Sequence, residues 1–376
     1  MTKLEKLIQE LCPEGVEYKE ISEVTNYEQP SKYIVKSTAY RDEYEIPVLT
    51  AGQSFVLGYT DESDGVYPAS KATPVIIFDD FTAAFKWVVF PFKVKSSAMK
   101  IITAKEDSLL IRFLFHWMGV LNYSSTEHTR LWIGAYSKFR VPVPPLPVQR
   151  EIVRILDNFT ELTAELTAEL TARKKQYEFY RDKLLTFGDV RGGATSDVVW
   201  KTLADIADIS TGSSNTDDAV KGGCYPFFVR SQQPLAKDEY EYDEEAIITA
   251  GDGVGVGKVF HYINGKYALH QRAYRIHPAT DGLLGKYLYH YFVATFPKYI
   301  GQQMYQGSVP SIRRPMLNKF QVAIPSLDVQ SRIVNVLDNF DAICTDLSSG
   351  LPAEIEARQK QYEYYRDKLL SFEEKI

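Results

Sequence analysis

Apolar positions along this chain keep two different rhythms, and the pair of rhythms occurs twice. In the first part of each half, short β-branched and aromatic runs are cut by Gly, Pro, Asp and Ser: residues 16–24, 46–52, 73–80 and 87–94, then 200–206, 225–229, 244–251, 257–263 and 267–276. Runs of this kind predict strands. Each set is followed by one helical stretch, SLLIRFLFHWMGVL at 108–121 and GLLGKYLYHYFVATF at 282–296. A much longer helical pattern comes next, starting after Pro147 and again near Asp328. Between Pro147 and Phe187 there is neither Gly nor Pro, so a single helix of about 40 residues, roughly 60 Å long, is predicted.

The apolar residues of these rods step by three and four, as the seam of a coiled coil does. In the first they are Phe159, Leu162, Leu166, Leu170, Tyr177, Tyr180, Leu184 and Phe187. In the second they are Phe340, Ile343, Leu347, Ile355, Tyr362, Tyr365, Leu369 and Phe372. The second rod is interrupted by Ser-Ser-Gly-Leu-Pro at 348–352, which predicts a break or kink. Each rod could pack on its own globule, but roughly 60 Å exceeds the diameter of a domain of this size, so the rods are expected to pair. Within the first rod the tetrad ELTA occurs three times, at 161–164, 165–168 and 169–172. One tetrad adds roughly 6 Å of length and only about 40° of phase, so tetrads can lengthen a spacer without rotating it far.

The two rhythms recur because the chain is an internal duplication. RKKQYEFYRDKLLTF at 173–187 and RQKQYEYYRDKLLSF at 358–372 agree at twelve of fifteen positions, against roughly one in fifteen by chance. Upstream, FRVPVPPLPVQREIVRILDNF at 139–159 aligns with FQVAIPSLDVQSRIVNVLDNF at 320–340. The expected organisation is therefore a globule over 1–144, a helical spacer over 145–187, a second globule over 188–325 and a second spacer over 326–376. The globules are of α/β class, α+β in type. LEKLIQEL precedes the first globule much as DKLLTF precedes the second, which predicts a closed, pseudo-two-fold arrangement.

Composition narrows the class. Of 376 residues 45% are hydrophobic and 13% aromatic, values of a globular protein, and no apolar run reaches the length of a membrane span. The N-terminus has charges scattered among its apolar positions and reads as an amphipathic helix and not a secretion signal, so a cytoplasmic protein is expected. Cys12, Cys224 and Cys344 lie far apart without a CxxC pair, which indicates neither a disulfide framework nor a zinc site. The net charge of −6 argues by itself against nucleic acid, but the charge is segregated. Residues 254–319 hold nine basic side chains against the single acid Asp281, residues 81–140 hold nine against three acids, and residues 205–252 reverse the balance. A basic tract is most often solvated surface; the same tract in both halves points to a polyanionic partner.

Motifs for catalysis are missing. GDGVGVGKV at 251–259 fails the GxxxxGK spacing and is not GxGxxG. The six histidines show no HExxH pairing, and the adjacent carboxylates Asp79-Asp80 and Glu244-Glu245 point to opposite faces if they lie on strands. No NPPY or DPPY methyltransferase signature and no FxGxG cofactor loop is present. Recognition remains: two related modules on a stiff spacer form a bivalent reader, and DNA half-sites one helical turn apart suit such a reader. Candidate DNA contacts in the first half are Gln53, Lys86, Lys93, Lys95, Lys100, His128, Thr129, Arg130 and Lys138. In the second half they are Arg230, Gln232, Gln233, Lys258, Arg272, Arg275, Gln306, Ser308, Arg313, Arg314 and Lys319, a mix suited to phosphates and base edges. A non-catalytic two-module protein-protein scaffold is the alternative. An enzyme built on Asp79, Asp80 or Asp252 is a third and weaker one.

The rod sequences, with VQREIVRILDNF and VQSRIVNVLDNF, the twin RDKLL blocks and the TAEL-type tetrads, resemble those of the DNA specificity subunits of type I restriction-modification systems, over the whole chain. The resemblance implies two target recognition domains, each reading one part of an asymmetric, interrupted DNA sequence. It also implies two helical regions that pair antiparallel, set the spacing and bind two modification subunits. No cofactor is implied on this chain; S-adenosylmethionine, ATP and magnesium belong to the partners, a methyltransferase acting on adenine and a restriction subunit that translocates DNA. Here the rods are unequal, since only the first carries the tetrads and only the second the Ser-Gly-Pro break.

Overall fold

The computed structural model describes residues 2–50, 55–105, 107–123, 129–187, 198–303, 310–346 and 348–375. They form two units, residues 1–166 with 355–376, and residues 167–354. The major helices are α1 (Lys3–Leu11), α2 (Ile111–Met118), α3 (Leu146–Leu185), α4 (Gly285–Gly301), α5 (Leu327–Thr345) and α6 (Leu351–Leu369). Sheets are mostly antiparallel with the helices set to one side, the α+β arrangement expected.

In the first unit a four-stranded sheet has the order Thr25–Glu28, Met99–Ala104, Val75–Asp79, Phe85–Val88. All five residues of Val75–Asp79 are buried, as an inner strand covered on both faces requires. Ile76, Phe78 and Ile102 pack into the core shared with α2, while Val75, Ile77 and Ile101 join a second core with Leu49, Phe92 and Val94. The two-residue period of a strand makes that division. In the second unit a six-stranded sheet runs Ala207–Thr211, Ala273–Pro278, Tyr242–Ala250, Phe260–Leu269, Tyr225–Phe228, Leu235–Lys237. Ile247 and Ile276 face the core with α4, and Ala246 and Ile248 face the other way.

The duplication is visible in the pairing. Among the described residues each unit has one parallel strand pair, Val48 and Leu49 with Lys93 and Val94 in the first and Phe227 and Phe228 with Ala268 and Leu269 in the second. The strand continuous over Phe260–Leu269 is interrupted in the first unit between Val88 and Lys93. Pro91 lies in that gap and has no N–H for a ladder, so the first sheet divides in two. The runs at 16–24 and 200–206 are not continuous strands. Each stops after Tyr18–Glu20 or Val199–Thr202 and makes one helical turn, closed reciprocally by Glu20 with Glu23 and by Thr202 with Asp205. Helix α4 passes Pro297 and ends at Gly301, beyond the stop its sequence predicts.

Helix α3 spans 40 residues without interruption. The second rod is broken as expected: α5 stops at Thr345 and α6 starts at Leu351. A side chain on Gly350 would meet the Ala342 and Asp346 carbonyl oxygens at 2.7 Å. Pro352, in the first turn of α6, sits where its missing N–H costs nothing.

Burial along the rods differs from the predicted seam. Val148, Ile152 and Leu156 at the start of α3 are fully buried in the first core, and Ile333 and Leu337 at the start of α5 are buried in the second. The ends exchange: Leu370 with Tyr362, Leu369 and Phe372 packs in the first unit, and Leu185 with Tyr177, Leu184 and Phe187 packs in the second. Each unit thus joins the root of one rod to the end of the other. The same aromatic pair marks both junctions, Phe159 stacked on Tyr365 at 5.3 Å in the first unit and Phe340 on Tyr180 at 5.8 Å in the second. In the second unit Tyr177 and Tyr180 lie at Phe340, whereas the earlier Arg173 and Lys174 act on the later Cys344, so the two helices run antiparallel there. Leu166 is buried, Leu162 and Leu170 are half-buried, and Tyr180, Ile343 and Tyr365 are 37–42% exposed. The seam is shallow because the strongest burial is at the roots, against the globules. Leu347 lies outside the described residues.

One glutamine fixes each root. Gln149 is fully buried; its Oε1 accepts from the Leu110 N–H at 2.8 Å, and its Nε2 donates to the carbonyls of Ser108 (2.8 Å) and Pro144 (2.7 Å). Gln330 repeats every bond, with Leu284 N–H (2.9 Å), Gly282 O (2.9 Å) and Pro325 O (2.8 Å). A histidine adds a second tie. His116 Nε2 donates to Asp157 at 2.9 Å and Nδ1 accepts from the Tyr362 hydroxyl at 2.9 Å, the pattern of a neutral ring. Arg112 donates to the same Asp157 oxygen at 2.7 Å. In the second unit His290 donates to Asp338 at 2.7 Å, and Nδ1 has no partner among the described residues.

Replacing Gln149 or Gln330 by Ala strands a buried N–H and two carbonyls, and unfolding by urea is expected to show a loss of roughly 2–4 kcal/mol for either. Burial lowers the pKa of His116 and of His290 below 6.5. The unfolded chain then takes up protons that the folded chain resists, and stability falls as the pH drops below about 6.5. At Asp157 burial acts upward but is outweighed by the bonds from His116 and Arg112; its lowered pKa adds a second loss below about 3.8. Thermal melts between pH 7.5 and 5.5 should show the first decline, and His116→Gln with His290→Gln should reduce it, leaving the part that comes from the half-buried His261 and the buried His270.

Candidate nucleic-acid interface and rod surfaces

In the second unit the central strand Tyr242–Ala250 ends in a glycine turn, Gly253–Gly255, whose backbone is hooked to the segment before the basic pair Arg313-Arg314. Ile312 N–H donates to Gly251 O at 2.7 Å and Gly253 N–H to Pro310 O at 2.9 Å. The sequence GDGVGVGKV is therefore a structural turn. Asp252 holds Arg230 at 2.6 Å and Arg272 at 3.3 Å, which gathers residues far apart in sequence onto one face. Both arginines keep much of their surface in solvent, 39% and 60% of the side chain. Gln232 and Gln233 follow Arg230 and are exposed, as are Lys258, Arg313, Arg314 and Lys319. His270 accepts from the Arg272 N–H at 3.0 Å, and burial lowers its pKa, followed by the charges of Arg230 and Arg272.

In the first unit Lys86, Lys95, Thr129, Arg130 and Lys138 are exposed. Arg130 and Thr129 precede the helical turn Leu131–Gly134, which is hooked by Leu131 N–H to Asp80 O at 2.8 Å, the counterpart of the Ile312 hook. Gln53, His128, Gln306 and Ser308 lie outside the described residues.

Three candidates are corrected. Lys93 is 2% exposed and pairs with Glu62 at 3.1 Å while donating to the Asp64 carbonyl. Lys100 is 1% exposed, pairs with Asp80 at 3.1 Å and donates to Gln29. Arg275 is 7% exposed and spans Glu244 (2.5 Å) and Asp208 (2.7 Å), with the Tyr267 hydroxyl on the same glutamate. A cation so enclosed and ion-paired is shut off from the surface where a phosphate would lie, so these basic residues build the modules and do not face a ligand. Their alternation with exposed lysines is not readable from charge content alone.

The carboxylates weighed for catalysis are likewise engaged. Asp79 accepts from the N–H groups of Phe81 (2.9 Å) and Thr82 (3.3 Å), and Asp80 accepts from Trp132 N–H at 2.9 Å. No cluster of three or more metal-ligating side chains occurs among the described residues, and no helix there is long and apolar enough to cross a membrane.

Two outward aromatics on the rods are absent from the predicted seam. Phe179 is 61% exposed and Tyr364, at the equivalent position, is 60% exposed. Lys183 and Lys368 sit over these rings at 5.8 and 6.0 Å. Their signal in the sequence is an aromatic retained in both copies at a position the seam does not use.

The sequence profile of the type I restriction modification DNA specificity domain matches residues 13–173 and again 195–357. The chain is 41% identical to the EcoR124I/EcoR124II type I restriction enzyme specificity subunit of Escherichia coli, covering 99% of this chain and 97% of that one. It is 32% identical to a putative type I restriction enzyme specificity subunit of Haemophilus influenzae, over 99% and 98%. Among solved structures, the S subunit of a type I restriction-modification system from M. genitalium matches with a TM-score of 0.65 at 13% identity, over 95% and 96% of the two chains. A structure titled for complex assembly and conformational transition of the type I R-M system matches at 0.56 and 17%, over 95% and 97%. The fold with its twice-built module and rod is that of a DNA specificity protein, and the chain belongs to the type I restriction-modification specificity subunits. It is the non-catalytic member of such a system, the one concerned with DNA sequence.

The arrangement of Arg230 and Arg272 on Asp252 gives a directly measurable expectation. Asp252→Asn should weaken DNA binding only a few-fold, because it removes a local negative charge and at the same time loosens both arginines. Arg272→Ala should weaken it on all sequences and reduce the slope of log affinity against log salt by about 0.9; fluorescence anisotropy over a salt series reads both.

Proposed function

We propose that this chain reads a bipartite, asymmetric DNA target, one part with each module, and directs adenine methylation and restriction by partner subunits docked on its rods. The observation that carries the reading is the contrast between copies. The root bonds of Gln149 and Gln330 repeat one for one, and the rod blocks at 173–187 and 358–372 are nearly identical, whereas the exposed faces of the modules differ in sequence. Two copies of one partner account for the first; two different half-sites account for the second. S-adenosylmethionine, ATP and magnesium then act on the modification and restriction subunits.

DNA contact is assigned to the exposed members of the basic set, Lys86, Lys95, Arg130 and Lys138 in one module and Arg230, Lys258, Arg272, Arg313, Arg314 and Lys319 in the other. Phe179 and Tyr364 are assigned to the partners, since exposed aromatics carry much of the energy at protein interfaces.

Reconstituted with its modification subunits, the complex should lose affinity for target DNA steeply as salt rises; a flat response would favour the scaffold reading. Phe179→Ala or Tyr364→Ala should each leave one modification subunit bound where two bind the parent chain, as read by analytical ultracentrifugation. Deleting one tetrad, residues 165–168, removes roughly 6 Å of helix. It should change the preferred gap between half-sites by one or two base pairs, measured by methylation of a library of gap lengths.

A further inference from the structure

Val254 stands at the tip of the glycine turn and is 88% exposed, far more than its neighbours on either side. The backbone beside it is tied down by close packing and hydrogen bonds. Gly253 takes φ +80°, and a side chain on Gly255 would meet the Arg230 carbonyl at 2.5 Å. The hooks to Pro310 and Ile312 close the turn from the other side. An apolar side chain held out into water on a pinned backbone is not a loop accident, and the charge around it says what it meets: Arg230 and Arg272 flank it on Asp252, with Arg313 two residues past Ser311, which bridges to Asp252.

The first module shares the backbone hook of this turn. After its own central strand, the backbone hook from Leu131 to Asp80 matches that from Ile312 to Gly251. The turn it secures, with Asp79 capping the N–H groups of Phe81 and Thr82, presents Phe81 at 36% exposure. The hook is kept but the tip is not: Val254 stands three residues past Gly251, whereas the residue three past Asp80 is the buried Ala83, so the apolar tip belongs to the second module.

We propose that Val254 is the apolar base contact of the second module and meets the 5-methyl group of a thymine in the major groove. The inference rests on the DNA-specificity reading above. Thymine is the one base whose major-groove edge carries a methyl group, and guanidinium groups on either side suit the adjacent phosphates and guanine edges. Wedges that part base steps are commonly larger, Phe, Leu, Ile, Met or Pro, so methyl contact is the fitting role for valine.

The test uses the complex with its modification subunits, on the target mapped by adenine methylation. Thymines of the half-site read by the second module are replaced singly by uracil, which removes only the methyl group. One replacement should weaken binding roughly fourfold, the factor that about 0.8 kcal/mol for a buried methyl corresponds to. Val254→Ser should weaken binding to the parent duplex by a similar factor and bind the thymine and uracil forms equally, with the salt slope and the other half-site unchanged. Its melting temperature, matching the parent's, separates this from misfolding. Unaltered discrimination at every thymine in V254S, or a half-site without thymine, overturns the proposal while leaving the specificity reading intact. A complex that methylates without sequence preference overturns both.

Discussion

A buried glutamine at the root of each rod is the constraint on which the rest depends. A module that reads DNA is useful to a spaced complex only if its orientation on the spacer is fixed. Hydrophobic packing of Val148, Ile152 and Leu156 or of Ile333 and Leu337 gives adhesion without direction. Gln149 and Gln330 supply the direction, because three hydrogen bonds to backbone groups on two segments define one geometry. The aspartate pairs of His116 and His290 extend the same tie one turn or more along the helix.

Through the exchange of rod ends, each duplicated block packs in the unit that the globule preceding it in sequence does not belong to. The end of α3 completes the second core, and the end of α6 completes the first. Neither half of the chain can form a whole unit from its own residues, so the rods are structural members of both units. The residues that must be common to two equivalent junctions, Phe159 with Tyr365 and Phe340 with Tyr180, are locked against change by each other. The presented turns after the central strands carry no such constraint, and they differ.

Much of the fold could be read from the sequence because duplication doubles every signal. The rods, the break at 348–352 and the alternation of strands appear in hydrophobic period alone. What escaped was set by partners distant in sequence. Lys93, Lys100 and Arg275 look like their exposed neighbours until Glu62, Asp80 and Glu244 fold over them. Tyr180, Ile343 and Tyr365 fit a heptad seam, but the burial that counts is against the globules. The helical turns Ile21–Val24 and Leu203–Ile206 hide in β-branched runs because a carboxylate cap, not propensity, decides them. Arg230 and Arg272 could be picked as basic and exposed, but only Asp252, weighed from sequence as a catalytic acid, brings them together.

The most direct measurement is to co-express the chain with a cognate modification subunit and sequence the methylated adenines across a genome. Two dissimilar half-sites separated by a fixed gap, with one methylated adenine in each, are expected. Methylation at a single uninterrupted motif, or with no motif, would contradict a two-module reader.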